Sequence, residues 1–164
     1  MAEKFILDAT CGSRSIWFIK NQENTIYMDA RQEEHYQEWK STNRDSVRSC
    51  IVAPDVVADF TNMPFQDESF DLVVFDPPHL VKVAENAWTK KKYGKLPEQW
   101  QDLIHDGFWE CMRVLRDRGT LVFKWSETQI STRDVINAID KEPLFGHRSG
   151  KKMNTHWLCF MKGV

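Results

Sequence analysis

The stretch Phe70-Asp71-Leu72-Val73-Val74-Phe75-Asp76-Pro77-Pro78-His79 decides how the chain reads. Leu72 to Phe75 are all apolar, with β-branched Val73 and Val74 at the centre. Such a run suits a strand covered on both faces, as in a parallel sheet. Pro77 and Pro78 have no backbone N–H, so the ladder must stop at them. Asp76 is left at the carboxyl end of a strand, the edge where open α/β sheets place their ligands. Because it precedes a proline, its own backbone is held extended. Its carboxylate and the carbonyl of Pro77 are two acceptors on a stiff turn. Together they can grip both hydrogens of a flat amino group. An amine conjugated to an aromatic base is a poor nucleophile, and pulling on both hydrogens frees its lone pair. His79 adds a flat ring that can stack on the base. The plainer alternative is a strand-ending turn with a solvated Asp.

Upstream, three more apolar runs end in an acid. Phe5-Ile6-Leu7-Asp8 is followed by a small-residue turn, Ala9-Thr10-Cys11-Gly12-Ser13, and residues 15–19 are expected to open a short helix. Gly12 lets a backbone approach a ligand closely, but there is no GxGxxG, which weakens a dinucleotide-binding reading. Thr25-Ile26-Tyr27-Met28-Asp29 places an acid about 20 residues after the first turn, the spacing that holds ribose hydroxyls in nucleotide-binding α/β folds. The alternative for Asp29 is an N-cap for a helix expected over residues 32–40, with His35, Tyr36 and Trp39 as its amphipathic remnant. Asp55-Val56-Val57-Ala58-Asp59 is the third run. Asp59 can bond an adenine amino group there, with Phe60 beside it and Met63 or Phe65 on the ring, although Met63 and Phe65 also suit a plain core.

Downstream, Leu80 to Leu96 is the longest irregular stretch. It carries Lys82, Lys90, Lys91, Lys92 and Lys95 around Trp88 and Tyr93. Aromatics interleaved with lysines suit bases and phosphates; a solvated loop is the alternative. Pro97 is expected to start a helix with Trp100, Leu103, Ile104, Phe108, Met112 and Leu115 on one face. Arg113, Arg116 and Arg118 would lie at its C-terminal end, and Gly119 would stop it. Thr120–Trp125 reads as a fifth strand, with Lys124 near its end facing either substrate or solvent. A helix over 132–141, a strand over 144–147 and a last strand over 155–161 complete the pattern. Residues 150–154 form a turn between antiparallel neighbours, where Lys151 and Lys152, near His147 and Arg148, contact phosphate or solvent.

With 164 residues, 41% hydrophobic and 28% charged, the chain is long enough for one globular domain, 1–164. No apolar run nears the roughly 20 residues that span a bilayer, and the N-terminus has no signal-peptide pattern. Cys11, Cys50, Cys111 and Cys159 are scattered without CxxC spacing, so neither a zinc site nor a disulfide framework is indicated, and a reducing cytoplasm is the expected location. A net charge of −2 argues against non-specific nucleic-acid binding by the whole surface.

Alternating strands and helices, with acids at 8, 29, 59 and 76 along one rim, predict a Rossmann-like, doubly wound, mostly parallel seven-stranded sheet with an antiparallel C-terminal hairpin. On these residues the chain resembles the class I S-adenosylmethionine-dependent methyltransferases over nearly its whole length, and within them the amino-methyltransferases. Leu7-Asp8-Ala9-Thr10-Cys11-Gly12-Ser13 is similar to their first cofactor motif. Asp29 and Asp59 match the residues beside the ribose and the adenine amine. Asp76-Pro77-Pro78-His79 matches their catalytic (Asp/Asn/Ser)-Pro-Pro-aromatic motif. Arg14 stands where many relatives have a second glycine, and His79 where Tyr, Phe or Trp is commoner. No segment matches a target-recognition domain, a build similar to small phage- and prophage-borne methyltransferases.

The resemblance implies S-adenosylmethionine as cofactor, bound by Asp8, Ala9, Thr10, Gly12, Asp29, Asp59, Phe60 and Asp76. It implies catalysis at Asp76, Pro77, Pro78 and His79, without a metal; His79 would also contact the substrate, and on the residues alone Lys124, Lys151 and Lys152 face either substrate or solvent. The expected reaction is methyl transfer to an exocyclic amine of a base in DNA or RNA, adenine N6 first and guanine N2 in RNA second. Two other classes compete. A nicotinamide-dependent reductase is opposed by the missing glycine fingerprint and the double proline. A catalytically weak nucleic-acid-binding module that needs a protein partner is opposed by intact Asp29, Asp76 and Pro77. Trp17, Trp39, Trp88, Trp100, Trp109, Trp125 and Trp157 would mark an interface if several were exposed together.

Overall fold

A computed structural model describes residues 3–41, 44–149 and 154–164. Strand β1 (Ile6–Asp8) pairs in parallel with β2 (Thr25–Asp29) on one side. On the other side it pairs, again in parallel, with β6 (Phe70–Phe75). Strand β5 (Val56–Val57) extends the sheet beyond β2, and β7 (Leu115–Ser126) extends it beyond β6. Strand β9 (Thr155–Met161) runs antiparallel to β7, and β8 (Phe145–Ser149) antiparallel to β9. The resulting order is β5-β2-β1-β6-β7-β9-β8. This is the expected mixed sheet with an antiparallel C-terminal edge. The chain reverses direction of winding between β1 and β6, which puts the switch point beside Asp76.

The core is built on one face. Along β7, Leu121, Phe123 and Trp125 are fully buried while Thr120, Val122 and Lys124 between them are half-buried, the period of two that a one-sided cover imposes. The cover is α2 (Trp100–Val114) with α3 (Thr132–Ile139). Ile104, Phe108 and Cys111 of α2 and Val135 and Ile139 of α3 are fully buried. Ser131 caps α3, its hydroxyl accepting from the Asp134 N–H at 3.1 Å.

Several local expectations are corrected. Residues 15–19 form turns, not a helix. Residues 32–40 are not helical. Glu33–Ser41 is strand β3, paired antiparallel with β4 (Arg44–Val52) as a separate two-stranded sheet. The amphipathic remnant at His35 and Tyr36 was too short to hold a helix. Val47, Ile51 and Val52 offered a partner strand, so cross-strand pairing decided the state. The third strand shrinks to Val56–Val57, and Asp59 lies beyond it. The irregular stretch contains a short helix, α1 (Trp88–Tyr93). The long helix begins at Trp100 rather than Pro97 and ends at Val114. Arg116, Arg118 and Gly119 therefore belong to β7. Gly119 sits in the irregular part of the β6–β7 ladder, where a Cβ would come within 2.9 Å of the Arg116 carbonyl. It lets β7 bend close to the chain and does not stop a helix.

Among the described residues no helix is long and apolar enough to cross a membrane. Of the tryptophans whose side chains are described, Trp109 alone is exposed, so they form no shared patch.

Candidate active site

Three of the four acids, Asp29, Asp59 and Asp76, line one cleft, Asp8 does not, and each does something different. Asp76 follows β6 directly. Its backbone N–H donates to the Thr10 hydroxyl at 2.8 Å, which ties the turn after β6 to the turn after β1. Its Oδ2 accepts from Lys124 Nζ at 2.7 Å. The two side chains are 19% and 17% exposed. Burial leaves the Asp76 carboxyl above its ordinary range, although the Lys124 ammonium offsets part of the rise.

Asp29 ends β2, and its carboxylate is almost fully used as an organiser. Oδ2 accepts from the Gly12 N–H at 2.9 Å, and Oδ1 from the Arg31 N–H at 3.0 Å and Arg31 Nε at 3.2 Å. No helix follows β2, so the helix-cap alternative falls away. Gly12 holds φ +49°, a conformation that side chains rarely adopt, so the turn needs glycine there. Asp59 is exposed, and its Oδ1 accepts from the backbone and hydroxyl of Thr61 at 2.8 and 2.9 Å. Asp8 is fully buried. Trp17 Nε1 donates to its Oδ2 at 2.6 Å and the Thr10 N–H to its Oδ1 at 3.2 Å. Burial, with smaller contributions from Asp76 and Asp29, nevertheless pushes its carboxyl up to about 7.

One cleft runs along this rim. Thr10, Gly12, Asp29, Asp59 and Phe60 line it together with Asp76, Pro77, Pro78 and His79. Asp8, Ala9 and Lys124 do not line it, and Lys124 is joined to it through its bond to Asp76. Lys151 and Lys152 lie outside the described residues. His79 differs from an open stacking platform. It is 9% exposed, with its ring centroid 5.5 Å from Tyr93 and 6.4 Å from Trp125. Burial and the nearby Lys124 hold its pKa down to about 4, so it is neutral at neutral pH. Met63 is buried, and Phe65 packs edge-on to Phe70 at 5.1 Å; both are core rather than adenine contacts.

The cleft is roofed by a segment whose place the sequence did not reveal. The Leu96 N–H donates to the Leu80 carbonyl at 2.8 Å, closing a loop at its neck. Gln129 grips that neck, accepting from the Val81 and Lys82 N–H groups at 2.9 and 2.8 Å. At the tip, Arg31 Nη1 donates to the Lys91 carbonyl at 3.0 Å, and Arg48 from β4 stacks over Trp88 at 4.4 Å. Lys92, Tyr93, Gly94 and Lys95 thereby line the cleft. Arg31 was missed although it stands two residues after Asp29. Its spacing from an acid carries no signal, because its partner Lys91 is sixty residues away.

The residues present fit a nucleoside-bearing cofactor. A carboxylate offers about four acceptor positions. The three donors on Asp29 leave one for a hydroxyl, in a cleft that Phe60 also lines.

No protein-family model matches the chain, and no curated protein sequence does. Solved structures match in three dimensions. The PH0226 protein from Pyrococcus horikoshii OT3 superposes with a TM-score of 0.57 at 13% identity, over 98% of this chain and 82% of that one. Geranyl diphosphate methyltransferase, solved with GPP and sinefungin, gives 0.53 at 11% identity over 99% of this chain and 72% of its own. The cyclase SpnF gives 0.53 at 11% identity, over 99% and 76%. A methyltransferase and a cyclase on one fold show that architecture does not name the chemistry. What the chain shares with these proteins is the Rossmann-like α/β fold.

Proposed function

We propose that the protein transfers a methyl group from S-adenosylmethionine to an exocyclic amine of a nucleic-acid base, adenine N6 in DNA or RNA. The observation that carries this reading is the Asp76-Pro77-Pro78 turn. Asp76 and Pro77 lie just past the carboxyl end of β6 and line the same cleft as Asp29 and Asp59. Asp29, Gly12, Asp59 and Phe60 would hold the cofactor, which supplies a methyl already activated on a sulfonium. Asp76 and the Pro77 carbonyl would accept the two amine hydrogens and orient the lone pair, so that positioning and fixed charge do most of the work. With the methyl passed to the nitrogen, Asp76 would be placed to take the surplus amine proton and release it to solvent. His79, neutral and packed against Tyr93, would form the wall beside the base.

Support for a polyanionic substrate comes from the roof. Five lysines fall between Lys82 and Lys95 against one acid, Glu85, in a chain whose net charge is −2. Phosphate contacts by such a patch give salt-dependent, sequence-independent affinity. A base inside a duplex must also be flipped out, at a few kcal/mol. Replacing Asp76 by alanine tests the reading. Labelled methyl transfer to nucleic acid is expected to fall to background while S-adenosylhomocysteine still binds. Normal transfer by the variant would remove Asp76 from the role of amine acceptor.

A further inference from the structure

We propose that Lys124 is a positioning residue, holding the Asp76 carboxylate ionised and turned so that its second oxygen meets the acceptor amine. The inference rests on the amine-transfer reading above for its purpose, but its physical content concerns this chain alone. Lys124 on β7 and Asp76, one residue past the end of the neighbouring parallel strand β6, meet at 2.7 Å. The contact uses only Oδ2. Among the described residues nothing donates to Oδ1 of Asp76, which leaves that oxygen for a ligand. Lys124 is itself held in place, since it pairs across the ladder with Trp157 and lies 5.9 Å from that ring.

The need for such a partner follows from the surroundings. The anion is the better amine acceptor at Asp76, because protonation turns one of its two oxygens into an O–H donor and leaves fewer lone pairs for the amine. Several groups face Asp76. Its own burial favours its protonation, and Asp8 from β1 is a neighbouring acid whose carboxyl is itself pushed up to about 7. His79 on the same turn is neutral at neutral pH. Lys92 and Lys95 line the cleft roof but form no contact with Asp76. Lys124 is thus the one cation bonded to Asp76 among the described residues. An opposite charge at this range lowers a carboxyl pKa by about one to three units.

The test is a carbon-13 NMR titration of the Asp76 carboxyl, assigned by its loss in Asp76→Asn, in the wild type, Lys124→Met and Lys124→Arg. Methionine keeps the length and apolar stem of lysine, and arginine restores the charge. In Lys124→Met the Asp76 titration is expected to move up by about one pH unit or more, and in Lys124→Arg to return towards the wild-type position. In parallel, the acid limb of kcat/KM should shift upwards by the same amount in Lys124→Met, with S-adenosylhomocysteine affinity within about twofold of wild type. A merely structural lysine would lower kcat/KM by one factor at all pH values. An Asp76 titration unmoved in Lys124→Met, in a protein that still binds S-adenosylhomocysteine, overturns the proposal. If the titration moves as stated but no base is methylated, the substrate reading fails and the Lys124 assignment stands.

Discussion

Replacing Gly107 with alanine tests how tightly the floor of the cleft is built. Gly107 lies in the middle of α2, directly under Phe60. A Cβ there would stand 2.4 and 2.6 Å from Phe60 Cδ2 and Cε2 and 3.0 Å from Phe75 Cζ. In an ordinary helix interior, glycine to alanine stabilises by about 0.5–1 kcal/mol. Here the ring must retreat by about 1 Å, and overpacking of that kind costs about 1–3 kcal/mol. The clash should win, by roughly 1–2 kcal/mol, which in a domain of this size lowers Tm by about 2–8 °C. Phe60 cannot move towards the sheet. It packs edge-on against Phe75 at 5.3 Å, and Phe75 is fully buried against Phe123 at 5.1 Å. The way left is into the cleft that Phe60 lines. S-adenosylhomocysteine affinity should therefore fall with Tm, by roughly tenfold for about 1.4 kcal/mol of lost contact. Thermal unfolding and calorimetric titration read both effects. Phe60→Leu in the same chain should recover part of each, because it removes the atoms that clash. A Gly107→Ala protein with raised Tm and unchanged affinity would refute the reasoning.

Two further outcomes follow from the acids. Asp29→Ala should weaken S-adenosylhomocysteine binding by tenfold or more, since Gly12 and Arg31 lose their acceptor together with the cofactor; unchanged affinity in calorimetry would show that Asp29 serves only the turn. Asp8 gives a pH dependence. Its folded pKa of about 7 lies above its ordinary 3.8, so the folded state keeps a proton that the unfolded chain releases in between. Stability is therefore lost as pH rises from about 4 to about 7, by a few kcal/mol, and is level above. Asp8→Asn lacks this slope, so its Tm should gain on wild type between pH 5 and 7.5; parallel Tm curves would mean that Asp8 is already ionised in acid.

What could be read in advance was what local chemistry decides. Apolar runs halted by an acid, or by an acid and two prolines, located β1, β2 and β6 and put Asp8, Asp29 and Asp76 on one rim. The hairpin of β3 and β4 was not legible, because residues 33–41 hold no strong period of their own and take their state from a partner strand. Gly119 was misread for a similar reason: it looks like a helix stop, but an irregular strand pairing needs the same freedom. Contacts across long separations were also hidden. Lys124 meets Asp76 across 48 residues and Arg31 meets the Lys91 carbonyl across 60. Each is a common side chain whose role exists only once the strands are ordered. Arg113 is a further case. It was assigned to the helix dipole, yet its guanidinium bonds the Phe65 and Met63 carbonyls at 2.9 and 3.1 Å and fastens the loop before β6.

The measurement that bears most directly on the central claim is the identity of the methylated product. The protein would be incubated with methyl-labelled S-adenosylmethionine and unmodified DNA and RNA, and the polymers digested to nucleosides for mass spectrometry. The account predicts label on an exocyclic nitrogen, as N6-methyladenine, absent with Asp76→Ala. Label on a ring carbon, or S-adenosylmethionine bound but no labelled nucleoside from either polymer, would contradict it.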